Sequence, residues 1–591
     1  MKKFFASIVA MLSAGMLLAQ PVAACTGVYV GKGLTEDGSV IFGRTEDLEQ
    51  SHNKTFVVIE ATENEEGAKL VDEYTKFEFE LPAQSYKYFA VPDTTPEWGL
   101  YYEAGYNEYG VAMDATTTTY TNDEVLAVDP LVENGLSEGI MTTVVLGHVK
   151  TAREGVELLA SIIDEKGSSE GNGLIIADKN ETWYMEILSG HQYAAMKLPD
   201  DMFAVFPNSF FLETIDVNDT ENVIASADLI NIAEEAGTYV EEEGMIRVAD
   251  SYAAEIDPGS VSRYWSGVKT LDPDAEVSLD DTEFPFLHST DKTITLDQVM
   301  SLQRNRLEDT DYIPADNIAS ATGGQVVKET ETTEGEETKA TESEEAEATE
   351  GEETKATESE EAEATEGEET KATETEETEV EESEETEATE TEETEVEESE
   401  EAEATEGEEA EATEGEEAET TEGEETETTE KQEPEKPENA LYPIGNKNTM
   451  EAHIFQIYED MPEKVPGVMW LAMGSPTVSP YLPYFGNIND TLSAYQVEAN
   501  EYDPESFYWA VDNLLTIMLE DEENLKPEMR EKILAIEKAG KDKYEELRQE
   551  LITMYAEDPQ AAAEWITEQT MQLAQDAFDQ IKDLEAVYVE K

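Results

Sequence analysis

The hydrophobic pattern of the first fifty residues predicts an export signal followed at once by folded structure. Lys2 and Lys3 precede an apolar run over residues 4–19, and small residues lead up to Ala24. This layout is typical of a secretory signal peptide that is cleaved after Ala24. The run is shorter than the about 20 apolar residues of a transmembrane helix. We therefore expect residues 1–24 to be removed and a bacterial protein to be exported, secreted or held at the cell surface, with no transmembrane segment.

Polar and apolar positions alternate immediately after the cleavage site. Residues 25–30 alternate small or polar with apolar side chains, residues 36–39 favour a turn, and residues 39–44 resume an apolar strand. The pattern predicts a β-hairpin that begins at the new N-terminus, Cys25.

The far end of the chain has a helical pattern. Apolar residues recur at helical spacing over 509–519, and residues 527–551 carry i to i+4 ion pairs such as Glu528 with Lys532. Residues 565–584 continue in this style. We expect helices from about 504 to 588 that pack on the body of the protein.

Between these regions lies a tract with no apolar period. Residues 329–430 comprise 102 residues with 50 Glu, 24 Thr and 3 Lys, a net charge of −47. Such a segment repels itself and buries too little apolar surface to fold. We expect residues 325–438 to be a disordered, solvated insertion that acts as a spacer, flanked by body segments 25–324 and 439–591.

The composition of the chain excludes several classes of protein and of binding site. The chain has 36 basic and 141 acidic side chains, a net charge of −105, which excludes a nucleic-acid binder. One cysteine excludes a disulfide framework, and five separated histidines favour no zinc site. Nucleotide-binding glycine loops and a serine-hydrolase elbow are missing from the sequence, so we expect no cofactor.

Two interpretations of Cys25 compete. Val22, Ala23 and Ala24 before it resemble a lipobox, which would make the cysteine a lipid anchor on a surface binding protein. Alternatively, Cys25 is a nucleophile whose own α-amine serves as its base. That amine, with a pKa of about 7.7 to 8.0, accepts the thiol proton and later protonates the leaving amine. A lipid on the sulfur excludes the second interpretation.

The chain resembles the C69 family of dipeptidases, which are N-terminal nucleophile (Ntn) hydrolases related to bile salt hydrolases and penicillin V acylases. The resemblance rests on segments spread in order over residues 25–324 and 440–540. They are Cys25-Thr26-Gly27, Phe42 to Asp47, Asn107 to Met113, Asp129 to Leu131, Thr151 to Gly155, Ile176 to Glu186, Ser189 to Tyr193, Leu198 to Asp201, Phe206 to Asn208, Ser262 to Trp265, Glu451 to Gln456, Val468 to Leu471 and Ser479 to Tyr484. It implies an α/β fold, an αββα sandwich of two antiparallel sheets between helical layers.

The resemblance also implies roles for individual residues. Arg44 and Asp47 lie near Cys25, where the guanidinium favours thiolate and the carboxylate orients the ammonium or the substrate amine. From sequence alone a surface ion pair at the strand end is the commoner case, and the resemblance reverses that preference. Asn208 is an oxyanion donor, or a turn residue after Pro207. Arg263 is a second active-site arginine, or a surface arginine stacked on an aromatic ring.

Asn107 and Asp114 are not predicted to have a catalytic role. Asn107 is interpreted as a turn residue. Where the acylases carry a second oxyanion asparagine, this chain has Asp114, so that donor is in doubt.

The function expected from the sequence is a secreted cysteine dipeptidase that cleaves short peptides through an acyl-enzyme on Cys25. The alternatives are an N-acyl amide hydrolase of the bile salt or penicillin V type, and a lipid-anchored binding protein without activity. Small peptides are the expected partners, and a homo-oligomer is left open.

Overall fold

The computed structural model describes residues 24–48, 52–72, 74–94, 101–316 and 439–589, together with four short segments of the acidic tract. Residues 1–325 and 435–591 form one compact unit, and residues 326–434 form another. The predicted signal peptide, apart from Ala24, lies outside the described residues.

The first unit is built on fourteen strands in two main sheets. In chain order they are β1 Thr26–Val30, β2 Val40–Asp47, β3 Val57–Ile59, β4 Tyr88–Asp93, β5 Tyr101–Asn107, β6 Ala112–Thr119, β7 Gly171–Ala177, β8 Thr182–Ile187, β9 Tyr193–Lys197, β10 Phe203–Phe206, β11 Val223–Ala225, β12 Thr449–Ile457, β13 Gly467–Met473 and β14 Leu482–Phe485. One sheet has the order β10-β1-β2-β12-β13-β14 and the other β11-β9-β8-β7-β6-β5-β4-β3. Neighbouring strands in both are antiparallel.

Ten helices surround the sheets in the described part of this unit. They are α1 Asp123–Leu126, α2 Glu138–Leu146, α3 Ala152–Lys166, α4 Leu229–Ala236, α5 Val248–Tyr252, α6 Pro258–Leu271, α7 Leu296–Gln303, α8 Phe507–Glu520, α9 Glu522–Glu557 and α10 Pro559–Val589. A 3₁₀ turn covers Ser493–Tyr495. No helix among the described residues combines the length and apolar character needed to cross a bilayer.

Smaller strands complete the unit. They are Thr62–Glu63 with Gln84–Ser85, Lys69–Val71 with Glu78–Glu80, the trio Thr214–Ile215, Met245–Arg247 and Glu241–Glu242, and the parallel pair Ile313–Pro314 with Ala440–Leu441.

The two main sheets pack face to face. Aromatic rings meet between them: Tyr106 on β5 lies 5.1 Å from Phe455 on β12, and Tyr184 on β8 lies 5.0 Å from Phe206 on β10. Helices α2 and α3 cover the outer face of the eight-stranded sheet. The helices α6 to α10 pack on the six-stranded sheet. The predicted αββα arrangement is confirmed.

The hairpin predicted at Cys25 is also confirmed. β1 pairs with β2 from Thr26 opposite Thr45 to Val30 opposite Ile41, and all five residues of β1 are buried. A third strand, β10, pairs with the other edge of β1 through Gly27 and Phe206. Strand β1, an interior strand of the six-stranded sheet, therefore begins directly after Cys25.

The C-terminal helices occur where the sequence predicts them. Helix α9 begins at Glu522, so Pro527 lies inside it, where its ring nitrogen donates no backbone hydrogen bond. Its buried residues Met529 and Ile533, among others, belong to the main core.

In the acidic tract the structure describes four three-residue strands. Ala364–Glu366 pairs with Thr394–Val396, and Glu374–Glu376 pairs with Ala388–Glu390. Apart from these twelve residues, the insertion predicted over residues 325–438 lies outside the described residues.

Candidate active site

Cys25 lies at the start of the central hairpin with its side chain inside the protein. It is 2% exposed, and Arg44 on the adjacent strand β2 directs Nη1 to the Cys25 Sγ at 3.7 Å. Ala24 is still joined to Cys25 in this chain, and its N–H donates to the backbone oxygen of Asp47 at 3.0 Å. The thiol thus has a cation beside it, while the nitrogen of Cys25 is an amide.

Arg44 is the centre of a buried group of charges between the two sheets. Five carboxylates, each 3% exposed or less, contact its guanidinium: Glu46, Glu103, Asp114, Glu138 and Glu451. Their distances to Arg44 run up to 3.8 Å. Residues two apart on a strand share one face, so Arg44 and Glu46 both point between the sheets.

Two further cations balance part of this negative charge. The Lys54 Nζ lies 2.5 Å from Glu46 and 3.3 Å from Glu103. The ring of His453 lies between Glu451 and Asp114, 3.0 and 3.3 Å away. Although burial alone would lower it, these two carboxylates raise the pKa of His453 to about 9, so the imidazole is a cation at neutral pH.

The surroundings of Cys25 hold its proton in place. Burial raises the pKa of the thiol well above its usual range, Arg44 opposes this, and Glu138, Glu103 and Glu46 add to it. The thiol is therefore neutral at pH 7 in this chain, where its nitrogen is acylated. A base or a further positive charge is required before the sulfur becomes a nucleophile.

Asp47 is the last residue of β2, and two side chains donate hydrogen bonds to its carboxylate. Oδ2 accepts a hydrogen bond from Asn446 Nδ2 at 2.5 Å, and Oδ1 accepts one from Thr449 Oγ1 at 2.6 Å. Burial raises the pKa of Asp47 to about 7 even though these two donors and Arg263 oppose the shift. Its contact with the residue before Cys25 is through the backbone.

Arg263 grips the backbone on both sides of the nucleophile. It projects from α6, which begins after Asp257; the Asp257 side chain accepts a hydrogen bond from Ser260 N at 3.0 Å, and Pro258 occupies the first helical position. Arg263 Nη1 donates to the backbone oxygen of Ala24 at 2.7 Å and also to that of Cys25.

Asn208 follows β10 and is oriented by the same arginine. Its Oδ1 accepts from Arg263 Nη2 at 2.9 Å, and its Nδ2 donates to the backbone oxygen of Thr118 at 3.0 Å. The amide nitrogen has two hydrogens, so one remains without a partner among the described residues. That hydrogen is the one an oxyanion could accept.

The five residues predicted for the site thus lie in one region, but they do not contact one another as the sequence predicts. Arg44 and Asp47 form no ion pair with each other; the alternative of a surface pair is wrong, because both are buried. The alternative of a surface Arg263 is also wrong, since it is fully buried, although the ring of Tyr442 does lie 5.8 Å from it. The catalytic roles remain predictions.

Asn107 is the turn residue that the sequence predicts. Its Oδ1 accepts from the backbone of Tyr109 and Val111, and its Nδ2 donates to the carbonyls of Leu146 and Val149. Asp114, in contrast, lies in the Arg44 group. Its carboxylate contacts Arg44 and His453, and whether this position supplies an oxyanion donor stays as open as the sequence leaves it.

Sequence reasoning missed most of the charged group. Glu103, Glu138 and Lys54 gave no signal by themselves. A signal did exist in β12, where Glu451 and His453 interrupt a strand whose nine residues are all buried. They pair with Glu46 and Arg44 on β2, so charges at alternate positions of two buried strands mark a polar centre.

Three of these acids approach one another closely enough to resemble a cation site. Glu46, Glu103 and Glu451 have carboxylate oxygens within 4.8 Å of one another. Arg44 contacts all three, and Lys54 contacts two of them. Protein cations thus already balance this group.

Comparison with known proteins identifies the family. Residues 24–342 and 419–533 match the model of peptidase family C69. The probable dipeptidase B of Streptococcus pyogenes serotype M1 is 37% identical over 568 residues, which cover 96% of this chain and 93% of that protein. A probable dipeptidase of Latilactobacillus sakei is 27% identical over 502 residues, 84% of this chain and 81% of that protein.

Solved structures show more distant similarity. A penicillin V acylase from Agrobacterium tumefaciens is 18% identical with a TM-score of 0.19, covering 29% of this chain and 49% of that one. A mutant of the conjugated bile acid hydrolase from Clostridium perfringens is 14% identical with a TM-score of 0.19, covering 43% and 76%. The family match and the full-length relatives decide the assignment: the chain belongs to peptidase family C69, and it is a peptidase.

Proposed function

We propose that the protein is an exported cysteine dipeptidase whose nucleophile is Cys25 with a free α-amine. The observation that carries the proposal is the buried Cys25 thiol, 3.7 Å from Arg44, at the point where the first strand begins. Relatives named as dipeptidases over nearly the whole chain support the substrate class. Removal of residues 1–24 is part of the proposal, because it creates the amine.

The first step is formation of the nucleophile. The free amine takes the thiol proton, directly or through a water, and the sulfur becomes thiolate beside Arg44. An ammonium at this point also adds a positive charge near the buried Asp47 carboxyl and near the thiolate. Both effects oppose the burial that keeps the thiol neutral in the uncleaved chain.

The thiolate then attacks the scissile carbonyl of the peptide. A C–S bond forms as the carbonyl π bond opens, and the oxyanion takes the remaining N–H of Asn208, whose amide is held by Arg263. The ammonium of Cys25 protonates the departing amine, which leaves as the C–N bond breaks. Water then attacks the thioester with the amine again as base. The C–S bond breaks, the first amino acid of the dipeptide leaves as a carboxylate, and the Cys25 thiol is regenerated.

The lipid-anchor alternative places a bulky diacylglyceryl group on the Cys25 sulfur. Cys25 is 2% exposed and strand β1 begins at the next residue, which favours the hydrolase over the lipid anchor. The acylase alternative differs only in the substrate that the pocket accepts.

The test is hydrolysis by the mature protein beginning at Cys25. We expect cleavage of unblocked dipeptides and much slower cleavage of conjugated bile salts and penicillin V. Cys25→Ala should lower kcat on the order of 10⁴-fold or more, because the nucleophile is lost. A protein that keeps one extra residue before Cys25 is the matched control and should also be inactive. Turnover of dipeptides by Cys25→Ala at the wild-type rate contradicts the proposal.

A further inference from the structure

Glu138 contacts the same nitrogen of Arg44 that contacts the Cys25 thiol. It is the first residue of α2, and its Oε1 lies 3.6 Å from Arg44 Nη1, the same nitrogen that lies 3.7 Å from the Cys25 Sγ. After Arg44, Glu138 has the strongest electrostatic influence on Cys25 of the neighbouring charges. A carboxylate at this place does not help to form a thiolate, so the chemistry of the nucleophile does not explain it.

A second acid stands beside Glu138. The backbone N–H of Glu138 donates to Glu170 Oε1 at 2.7 Å, and Glu170 forms no ion pair within the described residues. Burial and the charge of Glu138 raise the pKa of Glu170 to about 8. At neutral pH the Glu170 carboxyl therefore retains its proton, and this corner of the site holds the Glu138 carboxylate beside a carboxyl group that a nearby positive charge would help to ionise.

In the same corner, the buried side chain of Asn172 has an oxygen that lacks a hydrogen-bond donor within the described part of the chain. Asn172 on β7 is fully buried, and its Nδ2 donates to Glu138 Oε2 at 2.8 Å. Its Oδ1 has no hydrogen-bond partner among the described residues. A buried amide oxygen without a partner is costly, and an acceptor left open beside a carboxylate fits a donor that arrives with a ligand.

The position suits one group of a dipeptide in particular. The α-ammonium of the first residue is separated from the scissile carbonyl carbon by two bonds, about 2.5 Å. That carbon must come within about 3–3.5 Å of the attacking sulfur. The ammonium of any dipeptide attacked by Cys25 therefore lies next to the sulfur, where the Glu138 carboxylate shares Arg44 Nη1.

We propose that Glu138, Glu170 and Asn172 form an ammonium subsite that binds the free α-amine of a dipeptide and so selects unblocked N-termini. The inference rests on the proposed function and names the part of the site that separates a dipeptidase from an N-acyl amide hydrolase. An ammonium has three N–H donors, enough for both acids and for Asn172 Oδ1. An N-acylated substrate brings a neutral amide and leaves these groups unsatisfied.

The first test compares leucyl-leucine with N-acetyl-leucyl-leucine in mature wild-type, Glu138→Gln and Glu103→Gln proteins. Glu103 is the matched control. It is also a buried acid that contacts the Arg44 guanidinium, but at the other terminal nitrogen, Nη2. We expect Glu138→Gln to lower kcat/KM for the free dipeptide about 30-fold or more, mainly through KM, without lowering it for the acetylated one. Glu103→Gln should leave the ratio of the two substrates unchanged. Equal losses on both substrates in Glu138→Gln overturn the subsite.

The second test does not depend on turnover. Leucinamide should protect Cys25 from alkylation by iodoacetamide in the wild type, N-acetyl-leucinamide should not, and Glu138→Gln should lose the protection. If the wild type cleaves no dipeptide, the proposed function fails, and this assay still decides the subsite: selective protection supports it and equal or absent protection overturns it. Glu170→Gln is the milder variant, because the side-chain oxygen of the glutamine can still accept the hydrogen bond from the Glu138 N–H and the side chain is only half-buried. It should weaken protection by leucinamide about three- to tenfold, which tests the subsite should Glu138→Gln not fold.

Discussion

At the scale of residues, the main feature of the site is that buried acids outnumber the cations that contact them. Arg44 meets five carboxylates and the thiol, and Lys54 and His453 share four of those acids. Each new positive charge, whether the α-amine of Cys25 or the ammonium of a substrate, enters a region with negative charge to spare. This explains why the uncleaved chain holds its thiol neutral and why cleavage and substrate binding change the chemistry.

Prediction from sequence reached some of these residues and not others, for a physical reason. Cys25 directly precedes β1, Arg44 lies on the neighbouring strand β2, and only residues 31–39 join the two strands, so local pattern and the resemblance place the two residues together. Glu103 and Glu138 come from another strand and a helix start that are distant in sequence. Only packing of the two sheets brings them to Arg44, and no local pattern encodes that contact.

The Asp47 carboxyl predicts a definite pH dependence of stability. Its pKa is about 7 in the folded protein against a usual value of 3.8. Between these values the folded state retains a proton that the unfolded state releases, so the free energy of unfolding falls as pH rises. Relative to wild type, Asp47→Asn should gain up to about 4 kcal/mol between pH 4 and pH 8. Urea unfolding at several pH values measures this, and a difference that stays flat over that range contradicts the assignment.

At the scale of elements, the segment that follows the acidic tract completes the site rather than merely returning the chain to the fold. Asn446 and Thr449 hold the Asp47 carboxylate, and the backbone oxygen of Asn448 accepts the N–H of Leu48. Tyr442 and Ala24 pack together in a small apolar cluster. The end of β2 is thus fixed by residues about 400 positions away.

The elements themselves were predictable to different degrees. The hairpin of β1 and β2 and the long C-terminal helices follow from period-two and helical patterns. The short strands β3 and β11 have three residues each, too few for a period to register, and exist because a neighbouring strand offers hydrogen bonds. Sheet order depends on contacts between residues 40–47 and 449–457, across the whole insertion.

At the scale of the whole molecule, two described segments of the first unit, one before and one after the acidic tract in sequence, lie side by side. Ile313–Pro314 pairs in parallel with Ala440–Leu441, so the two ends are joined by backbone hydrogen bonds before the tract begins and after it ends. Loop closure depends only weakly on length, and a long insertion here leaves the fold intact.

Excision of residues 326–434 tests this arrangement. With a short Gly/Ser linker between Gln325 and Glu435, we expect kcat/KM for dipeptides to stay within about twofold and the thermal midpoint to stay within a few degrees, because the shorter loop closes at least as easily. Activity and melting of the full mature chain serve as the reference. Loss of folding on excision would mean that the tract contributes to the structure of the first unit.

The central claim is that the mature protein presents an unmodified cysteine with a free amine. Intact-mass and N-terminal analysis of the protein exported by its native host tests it most directly. The account predicts a chain that starts at Cys25 with free thiol and free amine. A diacylglyceryl mass on Cys25, or a chain that retains residues before it while hydrolysing dipeptides, would contradict the account.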